Sequence, residues 1–147
     1  MRTTKAPPLD DQLCFDLYAA SRAVTAAYRP VLDQLGITYP QYLVLIVLWE
    51  HQSRTVRDLA ARLRLDHGTL TPLLKRMEAA GLVERRRDHT DERLVVVSLA
   101  GKGEALRRHA KAIHCDMVDQ LGLAPAEFEE LQDTLRTLTA RVSSPTS

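Results

Sequence analysis

Few residues in this chain could carry chemistry, and the two cysteines come first. A thiolate attacks the oxygen of a peroxide or the sulfur of a disulfide. Cys14 falls about four residues after Asp10, which reads as a helix N-cap. That places it within reach of the partial positive charge at a helix start, with Asp10, Asp11 and Asp16 opposing. A single cysteine on an amphipathic helix also serves as a small buried hydrophobe, and both readings stand at this point. Cys115 follows His109 and His114 and precedes Asp116. Their spacing matches no standard ligand pattern, and a solvated helix face accounts for them. There is no CxxC, no HExxH and no glycine-rich phosphate loop, so the pattern calls for neither a metal nor a cofactor.

A second set of side chains could meet a polyanion. His67, Gly68, Thr69, Thr71, Pro72, Lys75 and Arg76 share the polar side of one segment, whose Leu70, Leu73, Leu74 and Met77 recur at helical spacing. Asp66 is positioned to cap this helix and Gly81 to stop it. Thr55-Val56-Arg57-Asp58 opens a preceding helix bearing Leu59, Ala60 and Leu63, and Leu65-Asp66 turns between the two. Downstream, Val83–Arg87 and Arg93–Leu99 flank the polar tip Asp88-His89-Thr90-Asp91-Glu92, the pattern of a two-stranded hairpin. Helix, turn, helix and basic hairpin in that order predict a winged helix-turn-helix. The second helix suits a major groove, and Arg86, Arg87 and Arg93 suit phosphates or a narrow minor groove. Pro72 lies in the second turn, where it predicts a local distortion.

Composition supports this division. The 147 residues, 45% hydrophobic and 27% charged, suit one domain with helical extensions, and the net charge is only +1. The charges are unevenly placed, however. Arg54–Arg93 holds ten Lys/Arg against seven Asp/Glu, whereas Ala112–Leu135 holds six Asp/Glu and no Lys/Arg. The basic stretch predicts DNA as its partner, and the acidic one faces solvent or protein. Met1–Pro8 lacks the apolar run of a signal peptide or anchor, and no stretch has transmembrane length. A cytoplasmic protein with reduced cysteines is expected.

The remaining elements frame the winged segment. A helix from Asp10 to about Leu35 ends at Gly36, carries Leu13, Leu17, Val24, Val31 and Leu35, and should bend at Pro30. A buried helix follows Thr38, with Pro40 in its first turn and Tyr42, Leu43, Leu45, Ile46, Leu48 and Trp49 as its apolar set. Ala100 to about Leu121 reads as one polar-faced helix. Pro125 opens a last helix with Phe128, Leu131, Leu135 and Leu138 on one stripe, followed by a Ser-Pro tail that should fray. The organisation expected is therefore an N-terminal helix over 1–36, a winged-helix domain over 37–99 and C-terminal helices over 100–147. The fold class is mostly α with a small β-wing. Long amphipathic helices at both ends predict a two-fold homodimer that spaces two reading helices about 34 Å apart on double-stranded DNA.

This layout resembles the MarR family of dimeric winged-helix repressors over nearly the whole chain. Leu13-Cys14-Phe15-x-Leu17-Tyr18, Tyr28-x-Pro30, Thr38-Tyr39-Pro40-Gln41-Tyr42-Leu43 and Gly68–Arg76 resemble its organic hydroperoxide resistance (OhrR) branch. His67 departs from that branch, standing where a serine is expected. The resemblance implies that Cys14 senses organic hydroperoxides and that Tyr18, Tyr28 and Tyr39 donate hydroxyls to it, some of them across the dimer. It implies that Asp91 orients Arg93 toward DNA. It also makes Cys115 a candidate resolving cysteine from the partner subunit. The expected function is a repressor that leaves its operator on oxidation. A MarR-type repressor released by a phenolic or aromatic ligand and, from another class, a thiol peroxidase are the alternatives. The repressor itself is not expected to be an enzyme.

Overall fold

The computed structural model describes residues 5–144; the expectations for Met1–Thr4 and for the Pro145–Ser147 tail fall outside them. A short 3-10 turn, Leu9–Asp11, leads into α1 (Leu13–Leu35). There follow α2 (Tyr39–His51), β1 (Ser53–Thr55), α3 (Val56–Leu63), α4 (His67–Ala79), β2 (Val83–Arg87), β3 (Val95–Leu99), α5 (Gly101–Ala105), α6 (Ala110–Leu121) and α7 (Pro125–Ser143). The chain divides into two compact units between Ala110 and Lys111.

In the first unit, local chemistry marks the ends of each helix. Thr38 caps α2 through a full capping box: its hydroxyl accepts the Gln41 N–H, and the Gln41 side chain accepts the Thr38 N–H. Thr55 accepts the Asp58 N–H at the head of α3. α4 ends as expected at Gly81, whose φ of +75° lets the Gly81 and Leu82 N–H groups reach the Glu78 and Met77 carbonyls. The corresponding stop after α3 uses Arg64, which adopts φ +55° without being glycine. Both internal prolines are accommodated, since α1 and α4 run unbroken through Pro30 and Pro72.

The core of this unit lies between the helices and the sheet. Leu70, Leu73, Leu74 and Met77, the four apolar positions of α4, are all buried, as are Leu59 and Ala60 of α3 and most of α2. Burying each such large side chain stabilises the fold by about 1.5–3 kcal/mol. The Trp49 indole N–H donates to the Gly103 carbonyl at 2.9 Å, tying α2 to α5. α1 contributes only Leu32 to the buried set, and Leu13, Phe15 and Tyr18 near its start are exposed.

Four expectations need correction. Asp10 does not cap α1: it lies in the 3-10 turn, and Gln12 occupies the cap position. The wing is not a two-stranded hairpin alone, because β1 joins it in an antiparallel sheet of order β1-β3-β2, with Ser53 opposite Ser98 and Arg85 opposite Val97. Arg93 and Leu94 belong to the turn, and the returning strand starts at Val95. The segment after the wing is not one helix, because a 3-10 stretch at Leu106–His109 separates α5 from α6. In the second unit α7 begins at Pro125 as expected, with Phe128 and Leu138 half-buried and Leu131, Leu135 and Val142 exposed.

Candidate DNA-reading face and thiol site

Helix α4 presents the residues expected of a reading helix. The Asp66 carboxylate accepts the Thr69 N–H at 2.7 Å, and this bond holds the acid below the usual carboxylate range. His67, Gly68, Thr69, Pro72, Lys75 and Arg76 are exposed and Thr71 is half-buried, on the side opposite the four buried apolar residues. The helix is thus anchored by one face and open on the other.

The wing tip is a rigid polar turn. Asp88 accepts the Thr90 N–H and hydroxyl and the Asp91 N–H, so its carboxyl is also held low. Asp91 then grips Arg93 side-on, accepting from Nε at 3.0 Å and from the terminal nitrogen at 3.1 Å, and takes the Arg93 N–H as well. The guanidinium is 90% exposed while its carboxylate partner is 33% exposed, so a pre-oriented cation stands out from the tip. Arg87 donates to the Glu92 carbonyl at 2.8 Å and braces the turn, whereas Arg86 pairs with Glu84 and stays largely exposed. Between α3, α4 and the wing lies a cleft of about 300 Å³, where Arg57 and Arg85 join His67, Thr71 and Arg93. The sequence reading missed Arg57 and Arg85. Strand alternation was the available signal for Arg85, since it faces opposite to Arg86.

Cys14 is the second residue of α1, in its first turn, and its side chain is exposed. Tyr18 lies one helical turn further on, with the Arg22 guanidinium 5.5 Å from its ring centroid. Tyr28 and Tyr39 are elsewhere. Their rings are 4.8 Å apart, and both pack on Tyr42, which touches Trp49 in turn. Burial raises the Tyr28 and Tyr39 hydroxyls above the ordinary tyrosine value, and Tyr42 is pushed up to about 12. These phenols are therefore protonated donors at neutral pH. Cys14 and Tyr28 are separated by fourteen residues of one continuous helix, roughly 21 Å along its axis. A single chain therefore brings Cys14 to Tyr18 but not to Tyr28 and Tyr39. Cys115 is exposed on α6 of the second unit. Among the described residues no three His, Cys, Asp or Glu side chains converge as metal ligands, the His109–Asp116 run included.

Comparison with known proteins gives this arrangement its place. The family model for the transcriptional regulator SarA/Rot matches residues 26–109. The chain is 47% identical to the organic hydroperoxide resistance transcriptional regulator of Bacillus subtilis over 130 residues, 88% of each protein. The chain belongs to the MarR family of winged-helix transcriptional regulators. A further relative, the HTH-type transcriptional regulator TtmR of Methylorubrum extorquens, is 46% identical over 88% of this chain and 67% of its own length. AbfR of Staphylococcus epidermidis has a matching crystal structure, with a TM-score of 0.70 and 36% identity over 88% of this chain and 92% of that one. AbfR is also known reduced on DNA, overoxidized on DNA and in a disulfide form. As a MarR-type regulator the present chain binds DNA and controls transcription, and its relatives are regulators rather than enzymes. Among its described residues no single helix is long and apolar enough to cross a membrane.

Proposed function

We propose that this MarR-family regulator is a homodimeric, cytoplasmic repressor that releases its operator when an organic hydroperoxide oxidises Cys14. The observation that carries the reading is the exposed Cys14 in the first turn of α1, one turn from Tyr18, in a chain so similar to an organic hydroperoxide resistance regulator. The Cys14 thiolate attacks the terminal peroxide oxygen. The S–O bond forms as the O–O bond breaks, and the alkoxide leaves and takes up a proton. The product is a cysteine sulfenic acid and an alcohol. Tyr28, fourteen residues along α1 from Cys14, and Tyr39 of α2, whose ring packs on it, supply their hydroxyls to the Cys14 of a second copy. A dimer is therefore part of the sensor. Cys115 of the partner subunit condenses with the sulfenic acid, forming a disulfide and releasing water.

On the DNA side, His67, Gly68, Thr69, Thr71, Pro72, Lys75 and Arg76 read the major groove. Arg86, Arg87 and the Asp91–Arg93 pair engage the backbone or minor groove. Oxidation replaces a small thiol by a larger polar group, and the terminal helices shift the two reading helices off the spacing of one DNA face.

The decisive experiment is a gel shift on the DNA upstream of this chain's own reading frame, with and without an organic hydroperoxide. Wild type should leave the DNA on oxidation, while Cys14→Ser should bind with unchanged affinity and stay bound. Normal peroxide release by Cys14→Ser would overturn the assignment. Peroxide consumption beyond one equivalent per thiol, sustained by a reductant, would instead make the chain a thiol peroxidase.

A further inference from the structure

The arginine run of the wing is not uniform. Arg86 is largely exposed, and Arg87 points to the tip. Arg85 turns inward, with its side chain 24% exposed and its Nε fully shielded without a hydrogen-bond partner. A guanidinium so held cannot offer its full fork to a phosphate. Its terminal nitrogen donates instead to Glu78 Oε1 at 3.1 Å, while the Arg85 backbone N–H donates to Glu78 Oε2 at 3.0 Å. The two contacts hold the Glu78 carboxyl below the usual range.

Their location makes these bonds more than a surface pair. Glu78 is the penultimate residue of α4, and Arg85 is the middle residue of β2. β2 is an edge strand, so an outward N–H on it has no strand partner. Glu78 fills that vacancy from the reading helix itself. Between the two residues the chain makes the Gly81 turn, and beyond Arg85 the strand runs two residues to the start of the tip that carries Asp91 and Arg93. The base of the wing is held by buried Leu82, Val83 and Val97 and by the pairing of β1 with β3. On the β2 edge, Glu78 and Arg85 add a direct bond between the end of α4 and the strand that leads to the tip, and so restrain tilting of that edge about the Gly81 turn.

We propose that Glu78 and Arg85 are a positioning pair that fixes the wing relative to α4, so that one protomer engages the major groove and the wing's contact in a single geometry. The proposal rests on the DNA-reading role of α4 and the wing, and is independent of the thiol chemistry. It treats Arg85, within the most basic run of the chain, as a strut that touches no DNA.

The test is a double-mutant cycle on the full chain with Glu78→Gln, Arg85→Gln and the double variant. Operator affinity is measured by fluorescence anisotropy at several salt concentrations, with thermal melts of each protein. A hydroxyl-radical footprint accompanies them. A positioning pair predicts that each single variant loses affinity by roughly tenfold, and that the double loses little more than either. Glu78→Gln and Arg85→Gln should change the slope of affinity against salt by the same amount, and in both footprint protection should weaken at the wing's contact but persist under α4. Two results overturn the proposal: Glu78→Gln binding as wild type, or Arg85→Gln lowering the salt slope by about one more than Glu78→Gln does, the mark of a direct phosphate contact. If Arg85→Gln proves too unstable to assay, Arg85→Lys, which keeps the charge and the backbone N–H, should recover most of the affinity. Failure of Arg85→Lys to do so while it melts as wild type overturns the proposal equally. Failure of the wild type itself to bind would instead overturn the operator reading, a distinct outcome.

Discussion

At the scale of single residues, the chain separates groups that must be charged from groups that must not. Asp66, Glu78, Asp88 and Asp91 are each held low by bonds from hydroxyl, backbone N–H or guanidinium donors, so all four are anions wherever a regulator works. The tyrosine cluster is the converse. A folded-state value raised to about 12 for Tyr42, from an ordinary 10.0, means that folding favours the neutral phenol. Its contribution to stability is complete below pH 10 and is lost as pH rises from there toward about 12. Thermal midpoints should therefore fall steeply across that window, and Tyr42→Phe should flatten the fall. An unchanged alkaline profile in Tyr42→Phe would count against the cluster as the source.

At the scale of elements, the join between the sheet and α5 leaves no room for a side chain at Gly103. A Cβ on Gly103 would stand 2.1 Å from the Leu82 carbonyl oxygen and 3.2 Å from the Leu99 side chain. That residue's own carbonyl receives the Trp49 indole N–H, so a backbone shift there disturbs α2 as well. Gly103→Ala should destabilise by about 1–3 kcal/mol, the usual cost of overpacking. Trp49 is the sole tryptophan, and its fluorescence in a denaturant melt reads the loss directly. A midpoint equal to wild type would mean that α5 is free to move away. Neither this join nor β1 was legible beforehand. Three residues, Ser53-Arg54-Thr55, carry too little pattern to announce a strand, and their status depends on partners at Val96–Ser98. The 3-10 stretch at Leu106–His109 likewise interrupts a sequence with no proline or glycine to mark the break.

At the scale of the whole molecule, each unit leaves large apolar side chains in water: Leu13, Phe15 and Tyr18 in the first, and Leu131, Leu135 and Val142 in the second. A monomer that exposes such stripes is incomplete, in keeping with the proposed dimer. Sedimentation should give a dimer for wild type, and Leu135→Asp should shift it toward monomer while the winged unit stays folded by circular dichroism. The second cysteine is tested on the same dimer. One equivalent of organic hydroperoxide should produce a covalent dimer on a non-reducing gel, and Cys115→Ser should produce none. Release from DNA without any covalent dimer would make Cys115 a bystander and leave Cys14 to act alone or with a small thiol.

Sequence alone determined the parts of this protein that short-range physics decides. Helix caps at Thr38, Thr55 and Asp66, the stop at Gly81 and the apolar spacing of α4 are set by neighbours within a turn, and each was readable. The Asp91–Arg93 grip spans two residues and was readable through the family resemblance. Tertiary structure alone decided what depends on distant partners. Arg85 was not singled out from the sequence, and its bonds to Glu78 exist only because the end of α4 packs beside β2. Tyr42, read only as a core residue, joined Tyr28 and Tyr39 because α1 and α2 pack there. Cys14 was matched by motif to three tyrosines, yet fourteen residues of continuous helix separate it from Tyr28 and from Tyr39, which packs on Tyr28. Spacing along a chain names the members of a site, but the rise of a helix decides which of them can meet without a second copy.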